Sequence, residues 1–515
     1  MEESRTKNTI RNIKTGAIVQ IINKLMAFAV RTVFIITLNT EYLGLNGLFT
    51  NVLTVLSLAE LGIGTAIIYN MYKPIAENDT EKIKSLMHLY RKMYYIIGII
   101  IFLLGLLVIP FMDFIVKDAP NIKENIILIY LLFLFNTASS YFFTYKKSII
   151  SAHQKQSIIN NVDSIFYLVK SILEIIFLFV TKNFIVYLII QISSTLLENI
   201  ILSIIADRLY PYLKEKKVKK LSKKENKTIF SNIKSLMCYK VGSVIMNGTD
   251  NIIISALINI TTVGLCANYT LVINSVKSII LSSLNGITAS IGNLNVKGSS
   301  KKKEEVFYIM TLCNYLIFSF CAIAFIVLLN PFIEMWIGEK YLLPMSIVVA
   351  ISLSFLIEGL RNPGYTYRIA LGLFEKGKAT PYIGAISNII LSILLCKIFG
   401  LAGIFIATCI AQLISYSWID PYLIHKYHFD SSFRKYIKKY LKYAIIFTIN
   451  VVITYNIAVL ITVSGLLGFI TKLFVIIIIT NIINILFLKN SFEFKEFSKR
   501  IITPYKNKIF KKYMQ

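Results

Sequence analysis

The sequence predicts an all-α protein that crosses a membrane about fourteen times, and three observations carry that expectation. The 515 residues are 56% hydrophobic and only 16% charged, whereas soluble chains are about one-quarter charged. Apolar runs of about 20 residues recur along the whole chain, the length a helix rising 1.5 Å per residue needs to cross a hydrocarbon core about 30 Å thick. Lys and Arg gather on alternate connections between those runs, as they do on the inner side of membrane proteins.

The elements follow in order. Gly16–Leu38 comes after a basic stretch, as a signal peptide would. Lys24 and Arg31 interrupt it, and no small-residue cleavage site follows, so a retained first helix is expected. Leu45–Tyr69 forms a hairpin with it through a turn near Tyr42. Met93–Met112, Ile126–Tyr145, Ile158–Val180 and Phe184–Ile205 complete a first group of six, with Pro74 and Pro110 at helix ends where termination explains them. The longest inner connection, Asp207 to Ser235, carries ten basic residues and marks a seam. Leu236–Ile258, Val263–Ile287, Val306–Leu329, Met345–Ala370, Pro381–Cys396 and Leu401–Leu423 form a second group. Tyr443–Ile461 and Leu466–Leu488 are appended to it. The expected organisation is thus a first lobe over 1–206, a basic linker over 207–235, a second lobe over 236–425, two further helices with their basic loop over 426–488, and a basic tail over 489–515.

The net charge of +28 would by itself suggest a nucleic-acid binder. The placement of the charges argues otherwise. With both termini in the cytoplasm, only Lys117, Lys123, Lys182, Lys340 and Lys397 fall on the outer connections, so the positive-inside rule accounts for the excess and no nucleic-acid partner is expected. An anionic inner leaflet adds to the anchoring. Cys238, Cys266, Cys313, Cys321, Cys396 and Cys409 lie in or beside apolar runs without a CxxC and read as buried small hydrophobes. The histidines His88, His153, His425 and His428 fall in inner connections without metal-ligand spacing. The outer loops are too short for a catalytic domain. No enzyme chemistry, metal or cofactor is expected; the one allowance is coupling to a proton or sodium gradient.

Charge inside the apolar runs is the chemical signal. Lys24, Arg31, Glu60, Asp163, Lys170, Glu174, Glu198, Lys240, Asp250, Lys277, Glu358 and Arg361 all fall there. Each costs about 2.5–3.5 kcal/mol at a bilayer centre, so they should face a polar interior. Lys24 and Glu60 are equidistant from the turn near Tyr42 and could pair; Lys170 with Glu174 and Glu358 with Arg361 could pair within their helices. Such pairs serve helix adhesion as readily as transport. Arg31 has no acid at its level in the second span, and Lys277 has none in its own, the eighth. With Lys24 and Lys240 they are the candidate cations for an anionic ligand, while Glu60, Glu198 and Asp250 are candidate cavity acids or ion-coupling groups. Asn247, Asn251, Gln191 and Asn274 are candidate polar wall, alongside Ser243 and Thr195. Interhelical hydrogen bonding explains any one of them equally well. Pro363 and Gly364, within "GLRNPGYTYRIA", are the candidate hinge.

A short repeat supports two related halves: "LNTEYLGLNGLF" at 38–49 and "INITTVGLCANY" at 258–269 share Asn39/Asn259, Gly44/Gly264 and Leu45/Leu265. The stretches "GLNGLFTNVLTVLSLAELGIGTAIIYNMYKPIAENDTEKI" (44–83) and "LGLFEKGKATPYIGAISNIILSILLCKIFGLAGIFIATCIAQL" (371–413) resemble the polysaccharide repeat-unit flippases. These form the Wzx-type branch of the multidrug/oligosaccharidyl-lipid/polysaccharide exporter superfamily. The likeness covers most of the chain through the twelfth span. Spans thirteen and fourteen share only the family's number and topology.

The resemblance implies two six-helix lobes in pseudo-twofold relation around a central cavity, working by alternating access in the bacterial cytoplasmic membrane. Its implied cargo is an undecaprenyl-diphosphate-linked oligosaccharide, carried from the inner to the outer leaflet, with membrane lipids and a polysaccharide polymerase or other assembly proteins as partners. A lipid II flippase or a drug/cation antiporter of the same superfamily is the alternative. A membrane-embedded polysaccharide polymerase or ligase is the non-transporting one. The family offers no sharp substrate motif, so the candidate residues rest on membrane electrostatics.

Overall fold

The computed structural model describes all of the chain except residues 1, 61–62, 118–119, 216–217, 220, 224, 228, 232, 234–236, 238–243, 246–247, 298, 372, 374–375 and 500–515. For residues 2–18, 59, 65–66, 283, 285–297 and 369 it describes the backbone alone. Lys240, Asn247 and Cys238 therefore lie outside the described side chains.

The chain is all-α, and the described residues contain no strand. The helices are α1 (Glu2–Thr37), α2 (Thr40–Leu56), α3 (Ile63–Ala76), α4 (Thr80–Leu106), α5 (Met112–Ile115), α6 (Ile126–Thr144), α7 (Lys147–Ala152), α8 (Gln156–Thr181) and α9 (Phe184–Leu209). They continue with α10 (Asp250–Leu257), α11 (Ile260–Lys297), α12 (Ser300–Ile337), α13 (Met345–Ala370), α14 (Thr380–Phe399), α15 (Leu401–Ile414), α16 (Tyr416–His428), α17 (Phe433–Val459), α18 (Gly465–Leu488) and α19 (Phe492–Phe497). Side-chain caps set several boundaries: Asn39 accepts from the Tyr42 amide at 3.2 Å, Asn125 from Ile127 at 2.8 Å and Asn183 from Ile185 at 2.8 Å, each satisfying a donor the helix itself leaves open.

Twelve described segments are long and apolar enough to cross a membrane. The two further predicted spans have identifiable fates. The second is broken into α2, a 3₁₀ turn at Ser57–Glu60, and α3; the first half of the seventh includes nine residues outside the description, and α10 stands at its end. The apolar stripes face outward. On α8, Ile165, Val169, Ile172, Ile176 and Phe179 are all exposed at alternating spacings of four and three, a helical face that only hydrocarbon would accept.

The chain divides into two compact units, Met1–Ala267 and Asn268–Gln515. In the first, α8 packs on α1 and α9, and α6 on α4 and α9, around Phe34, Tyr42, Phe184 and Tyr187 toward one end and Tyr90, Tyr94 and Tyr141 deeper in. In the second, α12 packs on α13 and α18, α13 on α15, and α14 on α15. Gly359 makes the α12–α13 approach: a methyl there would lie 2.0 Å from the Phe318 ring. α13 itself runs unbroken through Pro363, with Gly364 against Pro421 of α16. The expected lobes, 1–206 and 236–425, remain a proposal.

Candidate functional site

The break between α2 and α3 is the centre of the first unit's chemistry. Local sequence favours it: Ser57 bonds back to the Leu53 carbonyl at 2.8 Å, and Gly62 and Gly64 follow, both weak helix formers. Interrupted helices expose backbone and side-chain groups at membrane depth and recur at transporter ion and substrate sites. Here the break presents Glu60. Its two carboxylate oxygens accept from Tyr94 Oη at 2.7 Å and Tyr141 Oη at 2.8 Å. Tyr90 Oη donates to Tyr94 Oη at 3.1 Å, and Ser148 Oγ donates to Tyr90 Oη at 3.0 Å.

The result is a chain of hydroxyls that begins on α7, beside the basic connection, and ends on a carboxylate. Tyr90 and Tyr94 can share it because residues four apart lie on one helix face. Gly64 leaves room for it, since a Cβ there would sit 2.9 Å from Tyr90 Oη. Such a chain can pass a proton stepwise to Glu60 and back. The expected Lys24–Glu60 pair does not form: the carboxylate is held by tyrosines, and Lys24 is half-buried with no described carboxylate within 4 Å.

Glu198, expected to line a cavity, is ion-paired to Lys147 of α7 at 2.7 Å, and Lys147 also reaches Asp163 at 3.5 Å. Thr195 bonds within its own helix to the Gln191 carbonyl. Arg31 is half-buried one turn from Phe34, whose ring meets Tyr187 at 5.2 Å. The expected Lys170–Glu174 pair is absent from the described ion pairs. Lys170 instead lies over the Tyr167 ring at 5.2 Å, while Glu174 is 2% exposed and its Oε1 has no described hydrogen-bond partner. Asp250 opens α10, and Asn251 projects its amide against Gly47 of α2. Asn274 is exposed.

In the second unit Lys277 is not the uncompensated cation that sequence proximity suggests. It bonds Glu358 of α13 at 2.5 Å, and Glu358 also lies 3.7 Å from Arg361, as its spacing predicts. Arg361 sits 4.4 Å above the Tyr416 ring. Two turns on, Arg368 and Asp420 form an ion pair at 2.6 Å with exposures of 0% and 1%. Sequence reasoning missed this pair because Arg368 stands at the end of a span, although Glu358, Arg361 and Arg368 share one face at helical spacing. His425, placed by sequence in a connection, is buried in α16 between Tyr308 Oη at 2.9 Å and the Pro421 carbonyl at 2.7 Å.

The repeated motif becomes a two-sided clasp within the first unit. Asn39 caps α2, and Asn259 accepts from the Thr262 amide at 2.8 Å to cap α11. A Cβ on Gly44 would lie 2.1 Å from the Ile260 carbonyl oxygen, and one on Gly264 would lie 2.3 Å from the Thr40 carbonyl oxygen. Each glycine admits the other helix's first turn. Sequence showed the motif; only packing shows that its two copies grip each other.

Residues 9–291 match the family described as polysaccharide biosynthesis protein. No curated protein is recognisably similar to the chain. Among solved structures, the lipid II flippase MurJ in an inward closed conformation superposes with a TM-score of 0.62 at 16% identity, over 92% of this chain and 98% of that one. A multidrug resistance MATE family transporter of the MOP superfamily, inward-facing, gives 0.59 at 15% identity over 78% and 97%. The Vibrio cholerae MATE transporter VcmN in its bent form gives 0.53 at 15% identity over 80% and 94%. The shared property is the fold.

Proposed function

The chain belongs to the polysaccharide biosynthesis protein family, and from that premise we propose that it is a flippase for undecaprenyl-diphosphate-linked oligosaccharide repeat units. It moves them from the inner to the outer leaflet of the bacterial cytoplasmic membrane by alternating access, both termini lying in the cytoplasm. The observation that carries this reading is Glu60 at the broken second span: a carboxylate held by two phenols and linked by hydroxyls to the basic side is suited to taking up and releasing a proton during a transport cycle. Membership of a polysaccharide biosynthesis family supports a sugar-bearing cargo.

The diphosphate is an anion that needs cations, and Arg31, Lys24 and Lys240 are the positions offered for it. Lys277 serves after release from Glu358, so its role is coupled to that pair. Glu60 is the ion-coupling acid, with Glu198 and Asp250 resetting local charge; Asn251, Gln191, Asn247 and Asn274 are wall contacts to sugar. Pro363 and Gly364 flex α13, and the lobes 1–206 and 236–425 rock about the cavity. Lipid II flipping is the second reading, favoured by the superposition on MurJ.

The test is deletion of the gene followed by analysis of lipid-linked sugars in each leaflet. A repeat unit trapped on the inner leaflet supports the proposal. Trapped lipid II with normal surface polysaccharide transfers support to the second reading; unchanged levels of both overturn the two together.

A further inference from the structure

The basic linker does not hang free in the first unit. It folds back along the base of α4: Pro211–Lys214 forms a 3₁₀ turn, Glu215 bonds Lys84 at 2.6 Å, Ser85 Oγ donates to the Lys219 carbonyl at 2.6 Å, and Glu225 pairs with Lys82. Between linker and helix lies a cavity of about 460 Å³, within the range of small-ligand sites.

Its charge is unbalanced. Among the described residues, Lys84, Arg91, Lys146 and Lys214 line it with the acids Asp207 and Glu215, and His88 lies beside them. The two acids are already engaged, Asp207 with Lys146 at 2.7 Å and Glu215 with Lys84, which also pairs with Glu81 of its own helix, so Arg91 and Lys214 carry the excess. Lys84, His88 and Arg91 form a stripe at i, i+4 and i+7 of α4, hence on one face.

Depth narrows the ligand. Arg91 stands two residues before the apolar run that begins at Met93, about 3 Å along the helix axis, within a headgroup layer about 5–7 Å thick. Tyr145 and Lys146, also lining the cavity, stand where α6 has just ended. A guanidinium and an ammonium at this level match phosphate geometry and charge. We propose that this cavity binds the phosphate of a membrane-anchored anionic ligand, with Arg91 and Lys214 as its primary contacts. An anionic phospholipid and a polyprenyl diphosphate share that chemistry.

The full chain is purified in detergent and titrated with phosphatidylglycerol, with a short-chain polyprenyl diphosphate and with inorganic phosphate, binding being read by native mass spectrometry. The double variant Arg91→Gln/Lys214→Gln binds at least one lipid probe tenfold or more weakly than wild type, whereas Lys340→Gln, on an outer connection, does not. Loss for phosphatidylglycerol alone identifies a resident phospholipid, and loss for the diphosphate alone identifies a docking point for polyprenyl cargo. Glu215→Gln, which removes one lining carboxylate while Glu81 still holds Lys84, makes the cavity more positive, tightens the same probe and keeps the test open if the double variant misfolds. Wild-type affinity for both lipid probes in the double variant, an effect confined to inorganic phosphate, or unchanged or weakened binding in Glu215→Gln overturns the proposal. Because binding is read without transport, either result leaves the flippase reading to be judged by its own experiment.

Discussion

Replacing Gly44 by alanine tests the glycine clasp and, through it, alternating access. The added methyl would lie 2.1 Å from the Ile260 carbonyl oxygen, where a carbon–oxygen contact settles at about 3.3–3.6 Å. α2 and the first turn of α11 must part by about 1 Å, a gap that forfeits a quarter to a half of the dispersion attraction of the atoms lining it. Overpacking of this kind costs about 1–3 kcal/mol. If the clasp closes the outer end, that cost falls on the closed form alone and shifts the open-to-closed ratio by about 5–150-fold.

Val263, 0% exposed beside the clasp and in contact range of Gly47, reports the change. In a chain with all six native cysteines replaced, Val263→Cys is labelled by an impermeant thiol reagent at least fivefold faster once Gly44→Ala is added. Gly264→Ala, driven toward the Thr40 carbonyl from the other side, gives a similar rise. The double variant costs less than the sum of the two, because helices already parted accommodate the second methyl. Unchanged labelling in both single variants, or strictly additive effects, would refute a shared clasp.

Four further outcomes are expected. Glu60→Gln leaves one of Tyr94 and Tyr141 without an acceptor, costing about 1–3 kcal/mol. It abolishes proton-coupled export at normal membrane levels, as scored by export and by proton uptake in proteoliposomes. Tyr94→Phe keeps the Glu60 bond to Tyr141 but cuts the relay from Ser148, so proton uptake slows while substrate binding persists. Arg368→Met strands Asp420 in a site 1% exposed and lowers stability by about 3–5 kcal/mol in a thermal-shift assay, most of it recovered in Arg368→Met/Asp420→Leu.

The fourth concerns acid. The Lys82 ammonium, with the Ser222 hydroxyl and amide, holds the Glu225 carboxyl down from its ordinary 4.5 to about 2. A depressed carboxylate stabilises the docked linker above pH 4.5 and loses that contribution as pH falls toward 2. Protection of the Ser222 and Glu225 amides from hydrogen exchange, corrected for intrinsic rates, therefore declines across that window in wild type and is already low in Glu225→Gln.

The membrane class and most spans were legible in the sequence alone, because each is local: about 20 apolar residues suffice to cross a bilayer whatever they touch. Short-range geometry was partly legible too. Glu358 and Arg361 meet three residues apart, whereas Lys170 turns to Tyr167 and makes no ion pair with Glu174, since an aromatic face competes with a carboxylate one turn away. Ser57 and the glycines after it signalled a break in the second span, but apolar length masked it.

Only tertiary structure decided which groups the buried charges meet. Glu60 draws its phenols from 34 and 81 residues away, Lys277 its acid from 81, and Arg368 its acid from 52. Those partners depend on how far each helix is rotated and how deeply it sits, which is fixed by packing against neighbours and by loop length. Hydropathy along one strand of sequence records neither. The repeated Asn and Gly were visible as text, yet their mutual grip exists only where two helix ends come within a carbonyl's reach of each other.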